Sequence, residues 1–373
     1  MLIHSSQTSQ VVSSKNGPRK NFSRVLLMIG ATTLLGFFSV ISFTACTKKS
    51  VNEKVVNLAI WGNYLSPETQ AQFEKQTGLK INISNYSSNE ELLAKIQSGA
   101  SGIDVAVPSD YMVDIMIKTG KLEPIDSTLI THKNLIDPQW LHQNYDPENK
   151  FSLPYAWSTA GLAINTALYK KDLTSWKEFF TDKDLKGRIS LLDDVREVTA
   201  AALKFHGDSV NSTNPKELAA AKATLLELKP RVKMFRSDTV EALVNKEVAV
   251  AHAFSTDALQ AAAKTNGLIK FVIPAEGGTR AIDNLVILKG AQHLKEAHLL
   301  IDFLLSPEAN LQFVEKIRGG PVLTTTREKL PADLKNNPAL FPSPEQMSRL
   351  ERIQDLGDKT RLYDELWTEF KSE

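Results

Sequence analysis

Short apolar runs and segments with helix-boundary signals alternate along the chain from residue 55 onward. The run VVNLAIW (55–61) predicts a strand, and a Ser-Pro start with a terminal Gly predicts a helix over 66–78. KINISNY (80–86) predicts a second strand, and Ser88 with Glu91 three residues later forms the pattern of a capping box. Strands that alternate with helices of this length indicate parallel βαβ units.

The same alternation continues to about residue 317 and predicts a second α/β group. Two long segments, SLPYAWSTAGLAIN (152–165) and DNLVILKG (283–290), are apolar and extended, and we expect them to connect the two groups. Ligands of such sheets bind at the carboxyl ends of the strands. The other predicted elements are strands over 103–108, 187–192, 232–237, 248–254 and 269–274, and helices over 111–120, 193–207, 215–229, 238–247, 256–267 and 297–317.

The N-terminal region has the pattern of an export signal. Residues 25–45 carry no charge, four basic residues precede them, and the chain's single cysteine, Cys46, follows Ala45. The Phe43-Thr44-Ala45-Cys46 boundary resembles the lipobox of bacterial lipoproteins, in which the cysteine is lipidated and becomes the N-terminus. The alternative is an uncleaved anchor, because about 20 apolar residues span a bilayer. We therefore predict a signal peptide over 1–45 and a lipidated tether over 46–54.

Composition restricts what the exported part does. Outside residues 1–45 the chain has 40 Lys and Arg against 43 Asp and Glu, a net charge of −3, which does not favour nucleic-acid binding. About 328 residues exceed the size of a usual single core, so two lobes are expected. With Cys46 used for the lipid, the domain has no disulfide, no cysteine nucleophile and no cysteine metal ligand.

Eight stretches of the chain together form a pattern that no single one of them provides. They lie at 60–78, 104–116, 152–165, 173–180, 190–203, 274–287, 301–308 and 363–370. Taken in this order, they make the chain similar to the spermidine/putrescine-binding proteins of bacterial ABC importers. The resemblance covers nearly all of residues 55–373.

This resemblance implies a fold, a function and partners. The implied fold is α/β, a two-lobed periplasmic-binding-protein fold of type II with ligand in the interlobe cleft. Lobe 1 would comprise 55–160 with 284–322, and lobe 2 would comprise 161–283 with 323–373. The implied function is a periplasmic lipoprotein, expected as a monomer, that closes on a polyamine and delivers it to an ABC permease and its ATPase. No cofactor, metal or catalytic residue is expected.

The resemblance also implies ligand-binding residues. Polyamines need carboxylates for their ammonium groups and aromatic faces for cations and methylenes, each cation–π contact contributing ~0.5–2 kcal/mol. Two acids, Asp194 and Glu197, match the amine-binding pair. The full set of matching positions is Trp61, Asn63, Tyr64, Ser109, Tyr111, Asp194, Glu197, Ser237, Phe254, Asp283 and Gln354.

Structural roles are the alternatives for several of these residues. Asp194 and Glu197 at a helix start also fit a capping arrangement, and the positive end of a helix repels an ammonium group. Ser109 fits a cap of the next helix. Trp61, which ends a strand, fits a core position.

Five positions depart from the family pattern. Asn63 stands where the spermidine binder has glutamate, and Phe254 and Ala281 replace tryptophans. Gly320 replaces a tyrosine, and Arg280 adds a cation beside Ala281. These changes leave open a receptor retuned to another small amine or a zwitterion, with Arg280 binding a carboxylate. A surface lipoprotein without a transport role is another alternative. An enzyme is the third, although G-x-S-x-G, H-E-x-x-H, P-loop and G-x-G-x-x-G motifs are absent from the sequence.

Overall fold

The computed structural model describes residues 54–99 and 102–372. The predicted signal peptide, Cys46 and nearly all of the predicted tether lie outside the described residues. Within the described residues the fold is mixed α/β, as the alternating pattern predicts. Eleven strands form a continuous sheet whose main path runs β2-β1-β3-β10-β5-β8-β6-β7, with β4 and β11 paired to β10 and β9 paired to β5.

The strands are mostly short, except for two long ones in the middle of the sheet. They are β1 (Val55–Trp61), β2 (Lys80–Tyr86), β3 (Val105–Ala106), β4 (Leu122–Glu123), β5 (Ser152–Asn165), β6 (Ile189–Leu191), β7 (Val232–Phe235), β8 (Val250–Phe254), β9 (Ile269–Val272), β10 (Gly278–Leu288) and β11 (Leu350–Glu351).

The described residues also form fourteen α-helices, and none of these is long and apolar enough to cross a membrane. They are α1 (Pro67–Thr77), α2 (Asn89–Gln97), α3 (Asp110–Lys118), α4 (Trp176–Thr181), α5 (Val195–His206), α6 (Pro215–Leu228), α7 (Val240–Val244), α8 (Ser255–Lys264), α9 (Leu294–Leu304), α10 (Pro307–Ile317), α11 (Thr326–Lys329), α12 (Ala332–Lys335), α13 (Pro344–Ser348) and α14 (Thr360–Ser372).

The local signals at helix ends are largely confirmed. Ser66 caps α1 by accepting a hydrogen bond from the Thr69 amide, and Gly78 ends it in the left-handed conformation with φ 69°. The capping box expected at the start of α2 is only half formed. The Ser88 hydroxyl accepts from the Glu91 amide at 3.1 Å, but the Glu91 carboxylate accepts from the Ser87 amide at 2.7 Å instead of the Ser88 amide. The helical segment at 297–317 consists of two helices, because Ser306 and Pro307 start a new one.

Two long antiparallel strands, β5 and β10, join two groups of parallel strands. β1 pairs in parallel with β2 and β3, and β6 pairs in parallel with β7 and β8. β10 lies antiparallel to β3 and to β5, while β5 lies antiparallel to β8 and β9. The parallel units are therefore as predicted. The extended segment at 152–165 is β5, and the one predicted at 283–290 is the second half of β10, which begins at Gly278 and ends at Leu288.

The hydrophobic core divides in the same way. One set of buried clusters surrounds β1, β3, α9 and α10, and another surrounds β6, β8, α5 and α6. Leu330, Leu334 and Leu340 pack in the first set, whereas Tyr363 and Phe370 of α14 pack in the second.

Candidate binding site

A cavity of about 320 Å³ opens where β1, β3, β6 and β8 end. Ten of the eleven predicted ligand-binding residues line it. Gln354 does not; it is exposed, and its neighbour Ile353 lines the cavity instead. The ten are Trp61, Asn63, Tyr64, Ser109, Tyr111, Asp194, Glu197, Ser237, Phe254 and Asp283.

Asp283 is held at a bulge in β10. The pairing register of β10 with β5 shifts between Asp283 and Asn284, and such irregularities re-aim a side chain. The Tyr64 hydroxyl donates to one carboxylate oxygen of Asp283 at 2.6 Å, and the Ser109 hydroxyl donates to the other at 2.8 Å. Burial raises the pKa of Asp283 to about 6, although these two hydrogen bonds favour its ionised form. Ser109 makes no side-chain cap for α3, so its hydroxyl serves Asp283 instead.

The acidic pair at the start of α5 has two different environments. Asp194 caps the helix, with one carboxylate oxygen accepting from the amides of Arg196 and Glu197 at 2.9 and 3.0 Å. The Glu197 carboxylate does not return to the cap; it accepts from the Thr279 hydroxyl on β10 at 2.6 Å. Burial raises the pKa of Glu197 to about 7 and raises that of Asp194 well above its usual value. Asp194 therefore does act as a helix cap, although it also lines the cavity. The Glu197 side chain takes no part in capping the helix.

Three further acids line the cavity that sequence reasoning missed: Asp110, Asp238 and Asp257. Burial raises the pKa of both Asp110 and Asp257 to about 7. Asp110 stands between Ser109 and Tyr111, which were predicted, and Asp257 lies in the first turn of α8 directly after β8. The rule that ligands bind at the carboxyl ends of strands was a signal for both.

Aromatic side chains form one wall of the cavity. The Trp61 ring packs against Tyr86 and Phe254, with centroid distances of 4.8 and 6.0 Å. Its indole N–H donates to the Val107 carbonyl at 2.9 Å, which fixes the ring. Trp61 thus packs on the core and faces the cavity at once. The Tyr111 hydroxyl donates to Glu90 at 2.9 Å, and the Arg196 guanidinium lies 5.5 Å from the Tyr111 ring centroid.

Polar groups of the two core sets meet beside the cavity. The Asn63 amide donates to Asp238 at 2.5 Å, and the Asn63 carbonyl accepts from Gln260 at 3.3 Å. Asn63 adopts φ 57°, which asparagine tolerates better than most residues. The Ser237 hydroxyl is buried and has no hydrogen-bond partner among the described residues.

The glycine at position 320 is explained by packing. Gly320 and Trp157 exchange two backbone hydrogen bonds of 2.8 and 3.2 Å, and a Cβ at Gly320 would overlap the Trp157 ring. That ring stacks on Trp140 with centroids 5.7 Å apart. No side chain larger than glycine fits at position 320 while Trp157 keeps this position.

The charges around the cavity are strongly unequal. Among the described residues, six carboxyl groups line it, and Arg280 is the one basic residue in the lining. Within the described residues, no group of three or more His, Cys, Asp and Glu side chains is arranged to hold a metal ion. The arrangement suits an organic cation, with carboxylates for charge and aromatic rings for hydrocarbon.

Comparison with known proteins identifies the family. Residues 68–342 match the model of the bacterial extracellular solute-binding proteins. The chain belongs to this family.

Several relatives are similar over most of their length. The spermidine/putrescine-binding periplasmic protein of Salmonella typhimurium is 34% identical over 84% of this chain and 90% of that protein. The putrescine/cadaverine-binding protein of Pseudomonas aeruginosa is 32% identical over 83% of this chain and 92% of its own length. The solved structure of the TpPotD lipoprotein of Treponema pallidum superposes with a TM-score of 0.73 at 29% identity, over 85% of this chain and 99% of that chain. The predicted two-lobed solute-binding fold is confirmed by these similarities.

Proposed function

We propose that this protein captures a linear polyamine of the putrescine or spermidine type and delivers it to an ABC permease with its ATPase. The observation that carries the proposal is the aromatic-walled cavity with six carboxyl groups and a single guanidinium. Relatives named for spermidine, putrescine and cadaverine binding support the same ligand class.

The energetics are sufficient. Micromolar affinity corresponds to about −8 kcal/mol, and each hydrogen bond to a charged group contributes roughly 1.5–3 kcal/mol. Asp194, Glu197 and Asp283 are the carboxylates that we assign to ammonium groups, and Trp61 and Phe254 enclose the methylenes. We propose a ligand-binding role for all ten of the predicted residues that line the cavity.

Calorimetry with putrescine, cadaverine and spermidine tests the proposal. Asp194→Asn and Glu197→Gln should each lower polyamine affinity at least tenfold, a loss of about 1.4 kcal/mol. Asp193→Asn is the matched control, because Asp193 is the adjacent acid but is exposed and paired with Lys371. Unchanged binding in both cavity variants, or equal loss in the control, would contradict the proposal.

Binding without chemical change is part of the same proposal. The polyamine should be recovered unaltered after prolonged incubation with the protein, as mass spectrometry of the ligand would show. A new product in that spectrum would favour the enzyme alternative.

We also propose that Cys46 carries the lipid that anchors the protein outside the cytoplasm after removal of residues 1–45. The basic-apolar-Ala-Cys order supports this, and TpPotD is named a lipoprotein. Because one acyl chain anchors only marginally, stable attachment requires more than one. Intact mass and detergent partitioning of wild type and Cys46→Ser test it. Retention of residues 1–45 without added lipid mass would favour the uncleaved anchor.

A further inference from the structure

Arg196 is a buried cation that lies in the sequence between two acids assigned to ammonium groups, Asp194 and Glu197. Only 1% of its surface is exposed. Its guanidinium donates to the Gln354 carbonyl at 3.1 Å and to the Asn211 side chain at 3.2 Å, but its Nε is buried without an acceptor. It forms no ion pair with any described residue. Buried charges are normally paired, so this guanidinium lacks a carboxylate partner.

A carboxylate that lacks a donor lies nearby. The Tyr111 hydroxyl donates to one oxygen of Glu90 at 2.9 Å, while the other oxygen is buried and has no hydrogen-bond partner in the described part of the chain. The Arg196 guanidinium lies 5.5 Å from the centroid of the same tyrosine ring. Burial raises the pKa of Glu90, and the positive charge of Arg196 opposes this rise. An unpaired acceptor and an unpaired donor are therefore found beside one aromatic ring.

The two groups belong to different core sets. Tyr111 packs in the first set, as does Leu92, which lies on the same helix as Glu90. The helix that carries Arg196, α5, packs in the second set, where the guanidinium also lies 4.8 Å from the centroid of the Tyr363 ring. A movement of one lobe relative to the other therefore changes the distance between Glu90 and Arg196.

The acids at the start of α5 decide whether a closer approach is favourable. Burial raises the pKa of Asp194, and the negative charge of Glu90 raises it further. Glu197 is likewise affected by both charges, since Arg196 lowers its pKa and Glu90 raises it, against a larger rise from burial. Glu90 therefore repels the ionised acidic pair and attracts Arg196. An ammonium group bound to the pair neutralises the repulsion, and the attraction remains.

We infer that Glu90 and Arg196 form an ion pair between the lobes when an ammonium group occupies the acidic pair of α5. The charge of the ligand then controls closure of the lobes. Neither residue is among the described residues that line the cavity, whereas Tyr111 is. Arg196 is thus a positioning residue, which acts on the ligand through Glu90 and Tyr111. This inference rests on the proposed function, because it requires a cation at Asp194 and Glu197.

Variants that remove charge distinguish this pair from simple repulsion of the ligand. Loss of a cation near the acidic pair should by itself tighten polyamine binding, whereas loss of the ion pair should weaken it. We expect Arg196→Met and Glu90→Gln each to raise the dissociation rates of putrescine and spermidine by about tenfold or more, because a lost buried charge pair acts mainly on dissociation. Stopped-flow tryptophan fluorescence measures the rates, and calorimetry measures the affinities.

Two further variants test whether the residues act as a pair. The double variant should lose no more affinity than either single variant, because both substitutions remove the same interaction. Arg196→Lys, which keeps the charge, should recover part of the loss. Glutamine at position 90 still accepts from the Tyr111 hydroxyl, so Glu90→Gln tests the charge and leaves that hydrogen bond in place.

The control variants are Glu91→Gln and Arg361→Met. Glu91 is the adjacent acid on the same helix and pairs with Lys95 at 2.8 Å, and Arg361 is an exposed arginine that pairs with Glu365. Neither substitution should change the dissociation rates. Thermal melting without ligand should show that every variant is folded. If Arg196→Met does not fold, the comparison of Glu90→Gln with Glu91→Gln still decides.

Several outcomes would overturn the inference. Tighter polyamine binding in Arg196→Met would mean that Arg196 only opposes the charge of the ligand. Additive losses in the double variant would mean that the two residues act independently. Slower association with an unchanged dissociation rate in Glu90→Gln, or an equal loss in Glu91→Gln, would assign Glu90 to long-range attraction. In these cases wild type still binds polyamine and the proposed function stands; if wild type binds neither putrescine nor spermidine, the proposed function is wrong as well.

Discussion

At the scale of single residues, burial of acidic groups dominates the electrostatics of the cavity. Five of its carboxyl groups have pKa values raised chiefly by burial: Asp110, Asp194, Glu197, Asp257 and Asp283. Burial of an unpaired charge is costly, so these groups favour protonation while the cavity lacks a cation. An ammonium group reverses this preference, because it stabilises the ionised form.

The raised pKa values predict a pH-dependent stability. Three of the groups have folded-state pKa values of about 7, against about 4 when unfolded. The folded protein therefore binds more protons, and the stability that they contribute is present at low pH and lost as pH rises through about 7. His252, with its pKa lowered to about 3 by burial, acts oppositely, but only below its usual value of about 6.5.

The ligand-free protein should therefore melt at a higher temperature at about pH 6.5 than at about pH 8. Saturating putrescine should reduce this difference, and Glu197→Gln should reduce it without ligand, because one of the titrating groups is gone. Differential scanning calorimetry at the two pH values measures both effects. A melting temperature that increases from pH 6.5 to 8 would contradict the prediction.

At the scale of elements, Asp194 at the start of α5 is a helix cap and also one of the carboxylates that we propose to bind an ammonium group. The Asp194 carboxylate satisfies two backbone amides of the first turn. Asparagine is able to accept the same hydrogen bonds, whereas alanine is not. Substitutions at Asp194 therefore distinguish the contribution of the cap to stability from the contribution of the negative charge to ligand binding.

We expect Asp194→Ala to be less stable than Asp194→Asn by about 1 kcal/mol, the usual contribution of a cap. Both variants should lose polyamine affinity, since both lack the negative charge. Urea unfolding measures the stability difference, and calorimetry measures binding. Equal stability of the two variants would show that the cap contributes little, and retained binding in Asp194→Asn would assign Asp194 to capping alone.

Elements with strong local signals were predictable from the sequence. β1, β2 and α1 have the predicted bounds within one residue, because their apolar patterns and end signals are all local. Short elements such as β4 and β11 were not predicted, since two residues carry no pattern and their pairing with β10 depends on the fold.

The candidate site was predictable as far as the family resemblance reached. Asp257 was missed because no matched family position marks it, although it lies just after the carboxyl end of β8, while Gln354 was expected in the cavity and is exposed. The hydrogen bond from Thr279 to Glu197 joins residues that are 82 positions apart in the chain. Hydrophobic periodicity predicts local elements only, so it could not predict this contact.

At the scale of the whole molecule, β5 and β10 are the connections between the two core sets. We propose the lobes as 55–160 with 284–322 and 161–283 with 323–373. The packing of Leu330, Leu334 and Leu340 with the first core set favours a later crossing into the second lobe, after residue 340. Either boundary places the cavity where the two lobes face each other.

Contacts between the proposed lobes surround the cavity and predict a closing motion. Asn63 bonds Asp238, Trp61 packs against Phe254, and Tyr111 faces Arg196. Six carboxyl groups also lie between the lobes, and they repel one another when they are ionised. Without a cation the lobes should separate by hinge motion about β5 and β10, and the ligand should draw them together.

Small-angle scattering tests this closure. The radius of gyration should decrease when a bound ligand, identified by calorimetry, is added to saturation, because the ammonium groups neutralise the carboxylates and restore the contacts between lobes. Asp194→Asn at the same ligand concentration is the control, and it should contract less in proportion to its lower occupancy. Asn63→Ala, which removes the bond to Asp238, should weaken binding without changing the ligand-free radius. An identical radius for free and saturated wild type would show that the lobes are already closed without ligand, and the hinge prediction would be wrong.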